Sequence, residues 1–311
     1  MKLLSFEKNN QFRIGFVDHN NVVDLNAAFK YFRHDLDNIC FGLNDFPKDL
    51  LSFIHLWEQV WPITIEIFNR IKFEPGKSIV STLSFPLKEI NIKAPLINPG
   101  KIICLGLNYK DYCKDLNLDP PKNPILFSKF PSSIIGNGDV ITWSKRDSTK
   151  VDYEAELAII IKKKCYRIQP SEANEYMAGF MVLNDISARD VQNTDVQWVR
   201  GKSFDTFCPT GPYLVTSDEV PNPDNLKIQC KVNGNLLQDS STSNMFFDCA
   251  TVVSFISQTS TLLPGDIIAT GTPNGVAISK NPPEFLKDGD IVEVEIENLG
   301  CLVNTVKEIL L

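Results

Sequence analysis

The chain has 311 residues and a mass of 35.0 kDa, with 43% hydrophobic and 22% charged residues, which is typical of a globular protein with one large domain or a large and a small one. Because 38 Asp and Glu outnumber 31 Lys and Arg, the net charge is −7 and the pI is near 5.1, which argues against nucleic acid or an anionic membrane surface as the main partner. The three histidines are His19, His34 and His55, so zinc or Ser-His-Asp chemistry later in the chain needs an imidazole from the N-terminal region.

The first residues, 1–7, contain no apolar stretch typical of a secretory signal and are not rich in arginine. No later run approaches about 18 apolar residues, so we expect no membrane-spanning helix. The eight cysteines are scattered without a C-x-x-C pair, which is typical of free thiols in a reducing compartment. The sequence therefore predicts a cytoplasmic protein and leaves a mitochondrial location open.

The N-terminal third has the pattern of a small accessory domain. Alternating apolar residues over 12–23 predict a hairpin that turns at residues 19–21. Helical spacing over 50–68 predicts a helix interrupted by Pro62. A proline-rich stretch then runs to Pro99-Gly100 and indicates a linker. We therefore expect a small N-terminal domain over 1–92 and a larger domain over 100–311.

From residue 101 onwards, short apolar runs alternate with turns. Strands are predicted over 102–105, 151–161, 180–183, 225–232, 266–270 and 291–296. Helices are predicted over 108–116, 171–176 with Ser171 as the cap, and 249–260. Because the strands are not separated by regular crossover helices, the pattern favours an α+β, mostly β architecture over a doubly wound sheet.

The segment 151–161 carries the strongest chemical signal. Side chains alternate faces along a strand, so Asp152, Glu154 and Glu156 are predicted to share one face about 7 Å apart, where they repel unless water or a cation screens them. The alternative is a solvated acidic face, as we predict for the strand over 292–297. However, residues 157–161 are apolar on both faces, so the acids lie where the strand becomes buried, which favours a metal site.

Three further segments bear polar groups at the ends of apolar runs. Asp185 follows a buried strand and is either an oxygen ligand or a turn cap, while Ser187 is predicted to cap the next helix. Lys202 lies between a glycine and aromatic residues and is either functional or a surface lysine. The loop 270–276 is either a plain hairpin turn or a place where backbone amides or Thr272 hold a carboxylate.

In order and spacing, six motifs of this chain resemble those of the fumarylacetoacetate hydrolase family, most strongly the subgroup of fumarylacetoacetate hydrolase domain-containing protein 2. The resemblance covers about residues 100–306 and rests on Gly106-Leu107-Asn108-Tyr109, Phe127-Ser128-Lys129, the segment 152–158, the segment 184–190, the segment 200–209 and Thr270-Gly271-Thr272-Pro273.

The resemblance implies a β-sandwich-like roll that forms a homodimer and holds Mg²⁺, or Mn²⁺ or Ca²⁺. It implies Glu154, Glu156 and Asp185 as the metal ligands, which agrees with the preference of hard cations for oxygen. It also implies a pocket for a small anionic oxo-acid, with substrate-binding residues Arg189, Gln192, Lys129 and Thr272.

Family substrates are small 2-oxo or β-diketo acids, whose enolates a divalent cation stabilises. The same site therefore serves C–C hydrolysis, decarboxylation and keto–enol tautomerisation. Fold-level analogy does not choose among these reactions.

The helix over 108–116 departs from the family pattern. Tyr112 stands where many members have histidine, and Asp115 where they have glutamate, and both keep the spacing of one helix face. Tyrosine is a poor general base at neutral pH. We therefore predict a tautomerase acting on an oxaloacetate-like acid, with catalytic residues Lys202, Tyr112 and Asp115. In this prediction the bound ion lowers the pKa of Lys202, which shuttles the proton. The alternatives are a catalytically weak relative that binds metal or ligand, and a structural protein without metal.

Overall fold

The computed structural model describes residues 1–40, 42–73 and 82–309. Its strands are β1 (Lys2–Lys8), β2 (Gln11–Asp18), β3 (Asn21–Asp24), β4 (Ser84–Pro86), β5 (Asn91–Lys93), β6 (Ile102–Gly106), β7 (Ile125–Lys129), β8 (Ile134–Ile135), β9 (Val140–Ser144), β10 (Val151–Asp152), β11 (Ala155–Ile161), β12 (Met177–Asn184), β13 (Ser187–Ala188), β14 (Cys208–Thr216), β15 (Lys227–Val232), β16 (Asn235–Ser241), β17 (Ile267–Ala269), β18 (Ile291–Ile296) and β19 (Gly300–Ile309). The α-helices with described bounds are α1 (Leu25–Tyr31), α2 (Leu50–His55), α3 (Trp57–Phe73), α4 (Lys110–Asp115), α5 (Arg189–Asp195), α6 (Val199–Lys202) and α7 (Cys249–Ser257).

The largest sheet draws strands from most of the chain and has the order β4-β3-β2-β1-β14-β12-β11-β17-β6-β7. Strand β5 also pairs with β1, and β8 pairs with β14. Neighbouring strands are antiparallel except for β17 with β6 and β14 with β8. This arrangement confirms the predicted α+β, mostly β class and differs from a doubly wound parallel sheet.

A second sheet, ordered β16-β15-β18-β19-β9, covers one face of the central sheet. The core between the sheets includes Leu157 from β11 and Val294 from β18. Two sheets packed over one apolar core confirm the predicted β-sandwich-like roll. On β18, Glu293 is half-buried and Glu295 is exposed, as predicted for an ordinary half-exposed strand.

The other face of the central sheet packs against the N-terminal helices. Ala158 and Ile160 of β11 share a core with Phe53 of α2 and Ile63 of α3. Strand β11 is therefore covered on both faces, as its continuous apolar run predicts. Because β1 pairs with β14, the N-terminal strands extend the central sheet. The division into domains over 1–92 and 100–311 stays a prediction.

The N-terminal hairpin is confirmed, since β2 and β3 pair with Asp18 opposite Asn21. The predicted helix over 50–68 is instead two helices that break at Leu56 and not at Pro62. Proline removes the hydrogen bond to the carbonyl four residues earlier, that of Glu58. Both residues lie on the exposed side of α3, so the loss of this bond does not bury an unpaired carbonyl in the core. Across the described ranges, no helix is long and apolar enough to cross a membrane.

The predicted strand over 151–161 was wrong in one respect, because Tyr153 and Glu154 interrupt it. The backbone N–H of Tyr153 donates to Asp152 Oδ1 at 2.8 Å, and that of Glu154 donates to Asn184 Oδ1 at 3.0 Å. These side-chain acceptors take the place of ladder hydrogen bonds, so β10 pairs with β13 outside the central sheet. Asp152 and Glu156 therefore do not lie on one face of a continuous strand.

The predicted helix over 171–176 is a 3-10 helix, Pro170–Tyr176, capped by Gln169 and not by Ser171. Its N-terminus is closed reciprocally, because the Glu172 side chain accepts the Gln169 N–H at 2.7 Å. The other predicted strands and helices of the large domain are present, with bounds that differ by a few residues. Within the predicted linker lie the short strands β4 and β5.

Candidate active site

Three carboxylates meet where β11 begins and β12 ends. Glu156 lies on β11, Glu154 precedes that strand, and Asp185 follows β12. The antiparallel register sets Ala155 opposite Asn184, and the Asp185 N–H donates to the Glu154 carbonyl at 2.9 Å. All three acidic side chains are buried, and one oxygen of each lies within 4.8 Å of the others. The structure thus brings together the three residues predicted as metal ligands.

Two buried lysines neutralise part of this cluster. Lys202 Nζ donates to Glu154 Oε2 at 2.6 Å and to Asp185 Oδ2 at 2.7 Å. Lys129 Nζ donates to Asp185 Oδ1 at 2.6 Å. Burial raises the pKa of Asp185, but the two lysines outweigh it and the net shift is downward. Asp185 is therefore ionised at neutral pH.

The pKa of Lys202 is set by burial and by the acidic side chains around it. Burial lowers it, but attraction to Asp185 and Glu154 outweighs burial, and the net shift is upward. In this carboxylate setting Lys202 is a charged ammonium that donates hydrogen bonds. The lowered pKa predicted for Lys202 beside a bound cation stays a prediction, since the upward shift reflects the protein groups alone.

Arg189 is the third buried cation, at the start of α5. Its guanidinium lies 2.6 Å from Glu154 Oε1, and its Nε donates to Asp152 Oδ2 at 2.9 Å. Asp152 also accepts the backbone N–H of Ala277 at 2.7 Å, which ties the arginine to a distant loop. The sequence places Asp152 on one acidic face with Glu154 and Glu156, but the family resemblance does not include it among the metal ligands. Its position two residues before Glu154 was visible in the sequence, but its partner was not.

Ser187 does not cap α5 as predicted, because the N-cap of that helix is Ala188 and has no side-chain hydrogen bond. The Ser187 hydroxyl donates instead to the carbonyl of Asp185 at 2.8 Å. This bond holds the short chain segment that carries both Asp185 and Arg189 into the site. The Asp190 carboxylate accepts from the Ser148 hydroxyl at 2.6 Å and from the Thr149 N–H at 2.9 Å, so it holds the loop that precedes β10.

Glu156 differs from the other two acidic side chains. Among the described residues, no lysine or arginine nitrogen lies within 4.0 Å of its carboxylate. Its hydrogen-bond partner is the Gly271 N–H at 2.9 Å, so a backbone amide of the 270–276 loop does hold a carboxylate, as one of the two sequence interpretations expects. Burial, followed by the charges of Asp185 and Glu154, raises the pKa of Glu156 well above its ordinary value.

The residues present fit a divalent cation. With Asp152 included, four carboxylates face the three cations Lys129, Lys202 and Arg189, so one negative charge is left over when all are ionised. The donor atoms are all oxygens, which hard cations such as Mg²⁺ prefer. Glu156 is the carboxylate whose charge such a cation would offset most.

A cavity of about 280 Å³ opens onto Glu154 and Glu156, whereas Asp185 does not line it. Its polar lining is formed by Tyr112, Glu154, Glu156, Arg189, Gln192, Asn193, Lys202 and Thr272. Its remaining lining is Leu105, Gly106, Leu107, Leu116, Leu118, Phe127, Trp198 and Ile278. The volume is just below the usual range of about 300–1,000 Å³ for ligand pockets, so the cavity suits a small molecule.

The family model described as fumarylacetoacetate hydrolase, C-terminal, matches residues 101–307. The chain belongs to the fumarylacetoacetate hydrolase family. The predicted membership is confirmed, and the matched range contains every predicted site residue.

Curated members of the family are similar to most of the chain. The bovine protein named oxaloacetate tautomerase FAHD2B, mitochondrial (Bos taurus), is 49% identical over 263 residues, which are 84% of this chain and 80% of the relative. The protein named fumarylacetoacetate hydrolase domain-containing protein 2 homolog of Dictyostelium discoideum is 41% identical over 307 residues, 95% and 92% of the two chains. These relatives confirm the predicted subgroup.

Solved structures of the family extend the likeness to the whole fold. A fumarylacetoacetate hydrolase from Exiguobacterium antarcticum has a TM-score of 0.79 at 34% identity and covers 99% of this chain and 100% of its own. A 2-hydroxyhepta-2,4-diene-1,7-dioate isomerase from Mycobacterium marinum has a TM-score of 0.71 at 28% identity and covers 99% and 98%. Both are named as enzymes, and the prediction that this family member is an enzyme is confirmed.

The helix that departs from the family pattern, α4, has only one of its two predicted residues at the cavity. Tyr112 lines the cavity, whereas Asp115 is exposed and does not. Burial raises the pKa of Tyr112 to about 12, with Arg189 lowering it and Glu154 raising it further. Its phenol is therefore protonated at neutral pH. None of the histidines lines the cavity, and all three are exposed.

The predicted substrate-binding residues fall into two groups. Gln192 and Thr272 line the cavity, and each accepts one hydrogen bond: Gln192 Oε1 from Arg189 Nη1 at 3.2 Å, and Thr272 Oγ1 from Gln238 Nε2 at 2.9 Å. Among the described residues, no acceptor takes the Gln192 amide donors or the Thr272 hydroxyl donor. Lys129 lies elsewhere, behind Asp185, where its ammonium also donates to backbone carbonyls. The structure therefore gives Lys129 contacts within the protein and not with the cavity.

Proposed function

We propose that this chain is a Mg²⁺-dependent tautomerase that interconverts the enol and keto forms of oxaloacetate or a close analogue. The observation that carries the proposal is the buried trio Glu154, Glu156 and Asp185, of which Glu154 and Glu156 line a cavity together with Arg189 and Lys202. The names of its relatives as oxaloacetate tautomerases support the choice of substrate.

The reaction moves one proton between carbon 3 and the oxygen on carbon 2, and it needs no activated water. We propose that Glu154, Glu156 and Asp185 hold the cation. When bound there, a divalent cation supplies Lewis-acid polarisation of the substrate's oxo oxygen and offsets its developing charge. A tautomerase suits a site without an imidazole, since hydrolysis requires a base for water.

The remaining site residues have roles in binding and orientation. Arg189 and Lys202 attract the substrate's carboxylates, and the free donors of Gln192 and Thr272 fix its orientation. The Tyr112 phenol, protonated at neutral pH, holds a proton at the cavity wall and donates a hydrogen bond to the substrate oxygen. Asp115 and Lys129 receive no contact with substrate in this proposal.

The proposal is tested by following the loss of enol-oxaloacetate absorbance in the ultraviolet with purified protein and Mg²⁺. We expect turnover well above a Mg²⁺-only blank, its loss in EDTA, and its return when Mg²⁺ is added in excess. Parallel assays for pyruvate release and for acylpyruvate cleavage measure the competing reactions. Faster decarboxylation or cleavage than tautomerisation, or turnover unaffected by EDTA, would contradict the proposal.

Tyr112→His is expected to add hydrolase or decarboxylase turnover, because it places a group that titrates near neutral pH at the cavity. The gain should follow the deprotonation of the imidazole and so rise between about pH 6 and 8. The matched control is Tyr166→His, since Tyr166 is exposed and distant from the lining. If Tyr112→His cleaves and decarboxylates no faster than the wild type, the missing imidazole is not what limits these reactions.

The comparisons do not favour the alternative of a weak relative that acts only by binding metal or ligand. Its signature would be Mg²⁺-dependent thermal stabilisation without turnover of any oxo-acid. The acidic pI near 5.1 also agrees with a small-molecule partner and not nucleic acid.

We also propose a homodimer, which the family resemblance implies. Strand β7 at the edge of the central sheet supports this, since its Ile125 and Leu126 are 38% and 40% exposed. Light scattering on the purified protein measures the mass, and a monomer at micromolar concentration would contradict it. Relatives are named mitochondrial, which supports that location for this chain beside the predicted cytoplasm.

A further inference from the structure

Part of the cavity lining is an apolar surface, and oxaloacetate has only its methylene group to place against it. This apolar side is formed by Leu105, Leu107, Leu116, Leu118, Phe127 and Trp198. Within the described chain, the cations that line the cavity are Arg189 and Lys202, both beside Glu154. A second carboxylate placed against the apolar side would lose its hydration without gaining a partner. An apolar group placed there would instead be stabilised, because its surface leaves water.

Trp198 is placed by the same short helix that carries Lys202. It is the N-cap of α6, four residues before the lysine, and its carbonyl accepts the Lys202 N–H at 3.0 Å. Residues four apart lie on one side of a helix, so the indole and the ammonium both face the cavity. A substrate that reaches the ammonium is therefore within reach of the indole.

Gly106 makes room for this indole. A Cβ added at Gly106 would overlap Trp198 Cζ3 and lie 2.8 Å from Cη2. The φ angle of Gly106 is outside the left-handed region, so the backbone itself does not require glycine. The absence of a side chain at position 106 thus serves the seating of Trp198 against the cavity.

Phe127 connects the apolar side to the charged end. Its ring packs against Trp198 at 5.3 Å between centroids with an interplanar angle of 70°, and Lys202 Nζ lies 5.2 Å from the Phe127 centroid. The aromatic surface therefore begins directly beside the ammonium. A substituent of a few carbons on a substrate held at the carboxylates would contact Phe127 and Trp198.

We propose that the site also takes 2-oxo acids that carry an aromatic or bulky apolar group on carbon 3, and that Trp198 is the residue that binds this group. The inference rests on the proposed tautomerase function and names a second substrate class for the same site. The step is the same: the enol oxygen on carbon 2 loses its proton while carbon 3 gains one, with no oxidant or reductant.

The test uses the full-length protein with Mg²⁺ and two probes, enol-oxaloacetate and enol-phenylpyruvate, which share carbons 1–3 and differ in the group on carbon 3. The wild type is expected to tautomerise both. Trp198→Ala is expected to lower kcat/KM for phenylpyruvate about tenfold more than for oxaloacetate, chiefly through KM, because one aromatic contact is lost. Trp198→Phe is expected to restore most of the ratio.

A second route to the same result is Gly106→Ala, which displaces the indole without removing it and should shift the ratio in the same direction. Thermal unfolding and Mg²⁺-induced stabilisation report whether each variant is folded. If the wild type turns over oxaloacetate but not phenylpyruvate, or if the ratio is unchanged or rises in these variants, the inference is overturned while the proposed function stands. No wild-type turnover of oxaloacetate would overturn the proposed function itself.

Discussion

Glu156→Gln is expected to lower Mg²⁺-dependent turnover by about a thousandfold or more, because the cation site loses one of its three carboxylates. Without the bound cation, the reaction loses a Lewis-acid contribution of several kcal/mol. No lysine or arginine in the described ranges pairs with Glu156, so the substitution strands no buried cation. The variant should also lose the thermal stabilisation that Mg²⁺ confers on the wild type.

The same variant is expected to be more stable than the wild type in EDTA. The folded-state pKa of Glu156 is raised above its ordinary 4.5, so its contribution to stability is present below that value and is lost as pH rises through the raised pKa. Glutamine has no such titration. The stability advantage of Glu156→Gln should therefore widen as pH rises above about 4.5.

Urea unfolding of both proteins in EDTA across this pH range measures the effect. The matched control is Glu295→Gln, on the similarly alternating but half-exposed strand β18, which should behave like the wild type throughout. Retention of Mg²⁺-induced stabilisation by Glu156→Gln would show that Glu156 is not a metal ligand.

Lys202→Met is expected to lower kcat about a hundredfold to a thousandfold, the usual effect of removing one preorganised charge partner from an active site. The ammonium contacts Glu154 at 2.6 Å and Asp185 at 2.7 Å and lines the cavity. Its loss also leaves buried carboxylates without their cation, so we expect the metal-free protein to lose about 3–5 kcal/mol of unfolding free energy.

Metal binding distinguishes this variant from Glu156→Gln. With a competing positive charge removed, Lys202→Met should retain or gain Mg²⁺-induced stabilisation, although its turnover is low. The control on the same helix is Arg200→Met, because Arg200 is exposed and pairs with Asp195 away from the cavity, and its loss should change activity little. Wild-type kcat in Lys202→Met would contradict a role for the ammonium in the reaction.

Much of the fold could be predicted because its strands and helices follow from the pattern of apolar and polar residues within each segment. The apolar runs that became β11, β12 and β18 are buried on the faces that their composition predicts. The errors arose where a contact from elsewhere replaced a local preference. Pro62 did not end α3, and Tyr153 interrupted a strand because side chains took over its backbone hydrogen bonds.

The candidate site also combined residues that local pattern predicts with contacts that it does not. Glu154, Glu156 and Asp185 could be proposed from acidic residues at the ends of buried strands together with the order of the family motifs. Asp115 was placed with Tyr112 from helical spacing alone, yet only Tyr112 lines the cavity. Trp198 was missed, although its position four residues before Lys202 was a signal that could have been used.

The sequence by itself therefore determined the fold class, the family and the acidic residues, because burial pattern and motif order are properties of consecutive residues. Only the tertiary structure decided which acidic side chains pair with which lysines. Lys202 pairs with Asp185 17 residues away and with Glu154 48 residues away, and Lys129 reaches Asp185 across 56 residues. Electrostatic interactions depend on distances in space. The direction of the Lys202 pKa shift, and the fact that no described lysine or arginine pairs with Glu156, therefore emerge only when the strands are brought together.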